Sequence, residues 1–165
     1  MQEAVPEGTG AMLAVMGIKL DELEKLVQKL TTDFGVCEIA NDNSEGQIIL
    51  SGHVKAINEM NMTLKKMKKR SIFLPVSAPF HCSLMKPAAE IMSEKINNTN
   101  FNNPKFDIIS NVKAMPENNA KNIKNLLIDQ IFNTVKKIHS SIFKKTLPLF
   151  SKNLQNSLNQ KLWSV

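Results

Sequence analysis

The stretch QIILSGHVKAINEMNMTLKKMKKRSIFLPV, residues 47–76, carries two periodicities in succession. Residues 47–50 form a short apolar run closed by Ser51 and Gly52, the pattern of a buried strand reaching a turn. Ile57, Met60, Leu64 and Met67 then recur at helical spacing, on a helix expected to run up to Arg70. Residues 71–76 return to strand-type side chains, with Pro75 near the end, where a strand tolerates it. Upstream the same order appears in a different arrangement. After the turn signal of Pro6, Gly8 and Gly10, residues 11–16 read as an apolar strand closed by Gly17. Asp21 and Glu24 have capping-box spacing, and Leu20, Leu23, Leu26, Val27 and Leu30 mark an amphipathic helix. Residues 36–40 give a further strand, and the polar cluster 41–46 reads as a turn. The order β-α-β-β-α-β is the split pattern of a ferredoxin-like unit, complete over residues 10–76.

The chain then changes character. In SAPFHCSLMKPAA, residues 77–89, the prolines break regular structure until a helix starts, on which Leu84, Ala88, Ile91, Met92 and Ile96 recur. Pro87 fits only the first turn of that helix, so His81 lies at or just before its start. On these residues alone His81 is either a base or a histidine packed into a loop. Residues 97–104 form an Asn-rich loop, 106–110 a strand, 111–119 a turn-like segment and 123–132 a helix. These pieces have no sheet of their own and read as the tail of a larger α/β core whose beginning is absent.

Composition narrows the function classes. With 165 residues, 42% hydrophobic and 22% charged, the chain suits one domain or two small ones. Its longest apolar run, near residues 12–18, is too short to cross a bilayer, and Gln2 and Glu3 do not suit an export signal, so a cytoplasmic location is expected. Cys37 and Cys82 form no CxxC pair, and three scattered histidines offer no metal-ligand spacing, so no metal is expected. The net charge of +6 owes much to Lys65, Lys66, Lys68, Lys69 and Arg70. That run reads as a solvated helix end or as an attraction for an acidic partner. Without tyrosine or interleaved aromatics it does not read as a nucleic-acid surface.

Five colinear stretches carry a resemblance: MQEAVPEGTGAM (residues 1–12), NDNSEGQIILSGH (41–53), LPVSAPFHCSLMKPAAE (74–90), ISNV (109–112) and LLIDQIFNTV (126–135). Together they resemble the malonyl-CoA:acyl carrier protein transacylase family of fatty-acid synthesis. The resemblance implies an α/β (α+β) protein with a ferredoxin-like small subdomain and a C-terminal piece of an α/β-hydrolase-like acyltransferase core. It divides the chain into a connecting segment (1–9), the small subdomain (10–76), a partial large subdomain (77–135) and a diverged tail (136–165). It implies that His81 is the general base, held by the main-chain carbonyl of Gln130, in a Ser-His arrangement with a neutral orienting group. Phe80 would narrow the pocket beside the acyl C2 carbon and exclude a methyl branch, and Asn111 would fall near the substrate. Malonyl-CoA is then the substrate, acyl carrier protein the acceptor, and no cofactor is required.

The sequence departs from the family in one decisive respect. The family's nucleophile sits in a Gly-x-Ser-x-Gly elbow, and no serine here has glycines both two residues before and two after it. The family's substrate-carboxylate arginine and oxyanion glutamine would lie upstream of Met1. The expectation is therefore a partial acyltransferase, inactive alone, from a split or frameshifted gene: either a decaying reading frame or one member of a pair whose N-terminal half is separately encoded. Two other functions compete: a non-catalytic module docking acyl carrier protein or CoA, and a thiol hydrolase built on the adjacent His81 and Cys82.

Overall fold

The computed structural model describes residues 5–44 and 46–137, so the expected tail lies outside the described residues from 138 onward. Strand β1 (Gly10–Met16) is followed by helix α1 (Leu20–Phe34), strands β2 (Cys37–Ser44) and β3 (Gln47–His53), helix α2 (Val54–Lys66) and strand β4 (Arg70–Phe73). Four strands pair antiparallel in the order β4-β1-β3-β2, the arrangement of a ferredoxin-like sheet. Alternation along the strands fixes which residue faces which layer. Leu13 and Val15 on β1, and Ile48 and Leu50 on β3, are buried in one cluster with Leu23, Ile57, Met60 and Leu64 of the two helices. Met12, Ala14 and Ile49 point to the other face, where Ala40 joins them and Leu74 and Phe80 pack over them. The register places Leu13 opposite Leu50 and Ala14 opposite Ile49, so both faces of the central pair are covered.

Several boundaries differ from those read in the sequence, each for a local reason. Residues 41–44 extend β2 instead of forming a turn. Bulges between Ile39 and Asn41 and between Asp42 and Ser44 absorb the misfit, and Gly46, at φ 81°, helps close the hairpin. Residues 51–53 likewise continue β3, where Gly52 passes so close to the main chain of Val36 that a Cβ would collide with it. Helix α2 stops at Lys66, before Arg70, because Lys68 turns left-handed (φ 57°) and the Lys69 amide closes onto the Leu64 carbonyl. Helix α1 takes Lys19 as its N-cap without a side-chain bond, leaving Asp21 inside the first turn, so the capping-box reading fails. Strand β4 ends at Phe73, three residues before 76: the Leu74 amide still donates to the Met12 carbonyl of β1, but Pro75 has no amide proton to extend the ladder and the Val76 amide closes onto the Leu74 carbonyl.

The second part begins with a 3-10 turn (Ser83–Met85) that runs into helix α3 (Lys86–Asn98), with Pro87 in its first turn. Helix α4 (Ala120–Phe132) packs against α3 through Met85, Ala88, Ala89 and Ile131, with Phe80, Met92, Ile128 and Phe132 around them. Ile91, placed by spacing with the core of α3, is instead 61% exposed. Two short strands, β5 (Ile108–Ile109) and β6 (Pro116–Glu117), form a small ladder, so this part does carry a sheet, though a minimal one. Strand β7 (Val135–Lys136) then runs parallel to β2 and becomes the fifth strand of the main sheet. Thr134 reinforces this return, its hydroxyl donating to the Ile39 carbonyl at 2.6 Å.

Hydrogen exchange should rank these layers. The amides of Leu13, Val15 and Leu50, deep between two covered faces, should exchange most slowly. Those of Ile108 and Ile109, on a two-residue strand with exposed side chains, should exchange far faster. Equal protection across the chain would contradict this ordering.

Candidate active site

The loop between β4 and α3 crosses the sheet face opposite the two helices. Ala78 and Pro79 are buried there, and a Cβ at Gly10 would overlap the ring of Pro79. Glycine at position 10 therefore lets the first residue of β1 press against the loop. Phe80 follows, half-buried and packed against both the second-face cluster and the α3–α4 cluster. His81 is next, with φ at 59°, a left-handed conformation that histidine tolerates better than most residues but that still costs about 1 kcal/mol.

That backbone turn aims the ring at the end of α4. His81 Nδ1 lies 2.6 Å from the main-chain oxygen of Gln130. Gln130 stands in the last turn of α4, where carbonyls lack a partner within the helix and are free to accept from elsewhere. A carbonyl only accepts, so Nδ1 carries the proton, and in the neutral ring Nε2 keeps its lone pair. The Gln130 side chain faces a different neighbour, Oε1 accepting from Asn111 Nδ2 at 2.9 Å. The Asn111 carbonyl in turn accepts from the Lys136 amide at 2.7 Å, fastening this end of α4 to the returning strand β7.

Three of the four residues expected from the sequence thus form one chain of contacts: Asn111 to Gln130, and Gln130 to His81. Phe80 adjoins His81 in the chain, its ring packed among the apolar side chains of the two clusters. Asn111 reaches the histidine only through Gln130. A shallow open cleft of about 120 Å³, lined by Ile108, Ile109, Asn111, Leu126, Leu127 and Gln130, lies on the Asn111 side and does not include His81. One contact escaped the sequence reading. Glu38 of β2 accepts from the Ser83 amide (2.8 Å) and from the Ser83 hydroxyl (2.6 Å). The available signal was an acidic residue in the otherwise apolar strand 36–40.

The cysteines are placed against a nucleophilic role. Cys82 is fully buried, its sulfur donating to the Pro79 carbonyl at 3.1 Å, and burial pushes its thiol above the ordinary value. A buried, protonated thiol beside a histidine whose Nδ1 is committed elsewhere is poorly suited to hydrolysis. Cys37 is pushed up to about 12, first by burial and then by the nearby Glu38 and Cys82. Among the described residues no group of three or more His, Cys, Asp or Glu could hold a metal ion, and no helix is long and apolar enough to cross a membrane.

The sequence matches no protein-family model. Curated relatives do match. The malonyl CoA-acyl carrier protein transacylase of Escherichia coli (strain K12) is 38% identical over 136 residues, covering 82% of this chain and 44% of the relative. That of Staphylococcus aureus (strain MRSA252) is 37% identical over 142 residues, covering 86% and 46%. Among solved structures, FabD from Acinetobacter baumannii superimposes with a TM-score of 0.79 at 34% identity, over 83% of this chain and 44% of that one. A malonyl-transacylase in complex with a type II PKS acyl-carrier protein gives 0.78 at 30% identity, over 92% and 47%. The fold is α/β, and the likeness is to transacylases. Over the stretch they share, the chain is similar to malonyl CoA-acyl carrier protein transacylases, and it spans less than half the length of the curated relatives it matches.

The raised thiols give a pH signature. The folded Cys37 thiol titrates near 12 against an ordinary 9.0, so above pH 9 the unfolded chain loses its proton first. The stabilisation is fully present below pH 9 and is lost as pH rises toward 12. In urea titrations at rising pH the wild-type chain should lose more stability above pH 9 than Cys37→Ala; parallel losses would show that Cys37 makes no such contribution.

Proposed function

We propose that this chain supplies the general-base portion of a malonyl-CoA:acyl carrier protein S-malonyltransferase of cytoplasmic fatty-acid biosynthesis. The observation that carries the reading is the 2.6 Å contact between His81 Nδ1 and the Gln130 main-chain oxygen, which leaves Nε2 as the basic nitrogen of the neutral ring. In this reading residues 10–76 are the small subdomain and 77–135 part of the large one. Malonyl transfer then proceeds in two half-reactions. Nε2 takes the proton from a serine hydroxyl as the serine oxygen attacks the thioester carbonyl of malonyl-CoA, and returns it to the departing CoA thiolate. In the second half-reaction Nε2 takes the proton from the phosphopantetheine thiol of acyl carrier protein. That sulfur attacks the malonyl-serine ester, and the proton goes back to the serine oxygen. The serine has no elbow in these 165 residues, so a complementary segment must bring it. Phe80, next to the base in the chain, would restrict branching at C2 in this reading.

The chain alone should transfer no malonate above background. Co-expressed with a segment carrying a Gly-His-Ser-Leu-Gly elbow, it should gain activity that His81→Ala lowers by roughly two to four orders of magnitude. An active assembly indifferent to His81→Ala would remove the base assignment. A stable but inactive assembly that still binds acyl carrier protein would favour the docking-module alternative.

Phe80→Ser in an active assembly should relax discrimination against methylmalonyl-CoA by roughly 1–3 kcal/mol in kcat/KM ratio. An unchanged ratio would assign the selectivity to another residue.

A further inference from the structure

We propose that Glu38 is a positioning residue for His81, acting through Ser83. Its place in catalysis rests on the reading of His81 as the base. Glu38 follows Cys37 on β2, and alternation turns it away from the helix-side core, toward the face that the His81 loop crosses. Its two carboxylate oxygens accept two bonds from Ser83, one from the amide at 2.8 Å and one from the hydroxyl at 2.6 Å. Bonds to an ionised acceptor are about twice as strong as neutral ones.

Ser83 is where such a bond has most effect. It opens the 3-10 turn Ser83–Met85, whose preceding residue, Cys82, makes no side-chain cap bond. The Cys82 thiol is committed to the Pro79 carbonyl instead. Glu38 thus caps this turn from 45 residues away in sequence. Pro79 is held against Gly10 on one side of His81 and Ser83 is held by Glu38 on the other. Between those anchors the backbone of His81 is kept at φ 59° and its ring on the Gln130 oxygen. Release of Ser83 frees one end of a strained segment, and the strain relaxes by turning the ring away from the carbonyl.

The test reads the ring proton, so it is independent of turnover. Nitrogen-15 NMR of the full chain, with the imidazole selectively labelled, should show His81 in the Nδ1–H tautomer at a pH where the ring is neutral. Glu38→Ala should give a mixture of tautomers while the amide pattern of β1 and β3 stays unchanged. Glu38→Gln should restore the Nδ1–H form, because its amide can accept from the Ser83 N–H and donate to the Ser83 hydroxyl. Ser83→Ala, which removes one of the two bonds without altering the sheet, should show a partial loss and decides the matter should Glu38→Ala not fold. An unchanged Nδ1–H tautomer in a folded Glu38→Ala chain, or in Ser83→Ala where Glu38→Ala does not fold, would overturn the proposal. Failure of the serine-complementation assay with these tautomer results intact would instead count against the catalytic reading alone.

Discussion

The central strands β1 and β3 are buried on both faces, and the rest of the structure depends on that. Leu13, Val15, Ile48 and Leu50 close against the helices, while Met12, Ala14 and Ile49 need a second cover. Each fully buried side chain of this size contributes about 1.5–3 kcal/mol, so an uncovered second face would be a large loss. Leu74 and Phe80 supply part of that cover, which brings the His81 loop to the sheet. A demand of the hydrophobic core therefore determines where the polar site is built. Gly10 belongs to the same arrangement, because any larger residue at the start of β1 would push the Pro79 ring, and the loop with it, off the sheet.

The parts of the fold legible in the sequence are those governed by local periodicity. Leu20, Leu23, Leu26 and Leu30 could be assigned to a helix face from spacing alone, and the order β-α-β-β-α-β followed from such runs. Residues 41–44 show where composition misleads. Asn41, Asp42, Asn43 and Ser44 are turn formers, yet Asn41 and Asp42 lie between β3 on one side and β7 on the other. Partners from residues 135 and 136 override the local preference, and nothing near position 41 announces them. Lys68 is a similar case, since a lysine run gives no sign that one member will end the helix left-handed.

The site was legible only in part, and the reason is separation in the chain. His81 and the Gln130 carbonyl are 49 residues apart, and the contact uses a main-chain atom that every residue possesses. No pattern of side chains can reveal it; only the family resemblance paired the two residues. Phe80 owes its legibility to its place before the histidine. Glu38 had no such support, being 45 residues from Ser83 and outside the motifs that bear on the chemistry.

A helix-end carbonyl as orienting group has a physical consequence for the histidine. A carboxylate in that place would bring a full negative charge and would itself need a partner when buried. Gln130 brings a neutral dipole at the C-terminal end of α4, where the carbonyls already carry the partial negative charge of the helix and make good acceptors. The cost is that the acceptor can be no better placed than the helix end itself. This explains the fastenings around residues 130–136: Asn111 on the Gln130 side chain, Thr134 on Ile39, and β7 on β2. The Gln130 oxygen is thereby referred to the same strand, β2, that carries Glu38 and so holds the histidine loop from its other end. Both sides of the His81 hydrogen bond are measured from one element, and a small displacement of β2 moves donor and acceptor together.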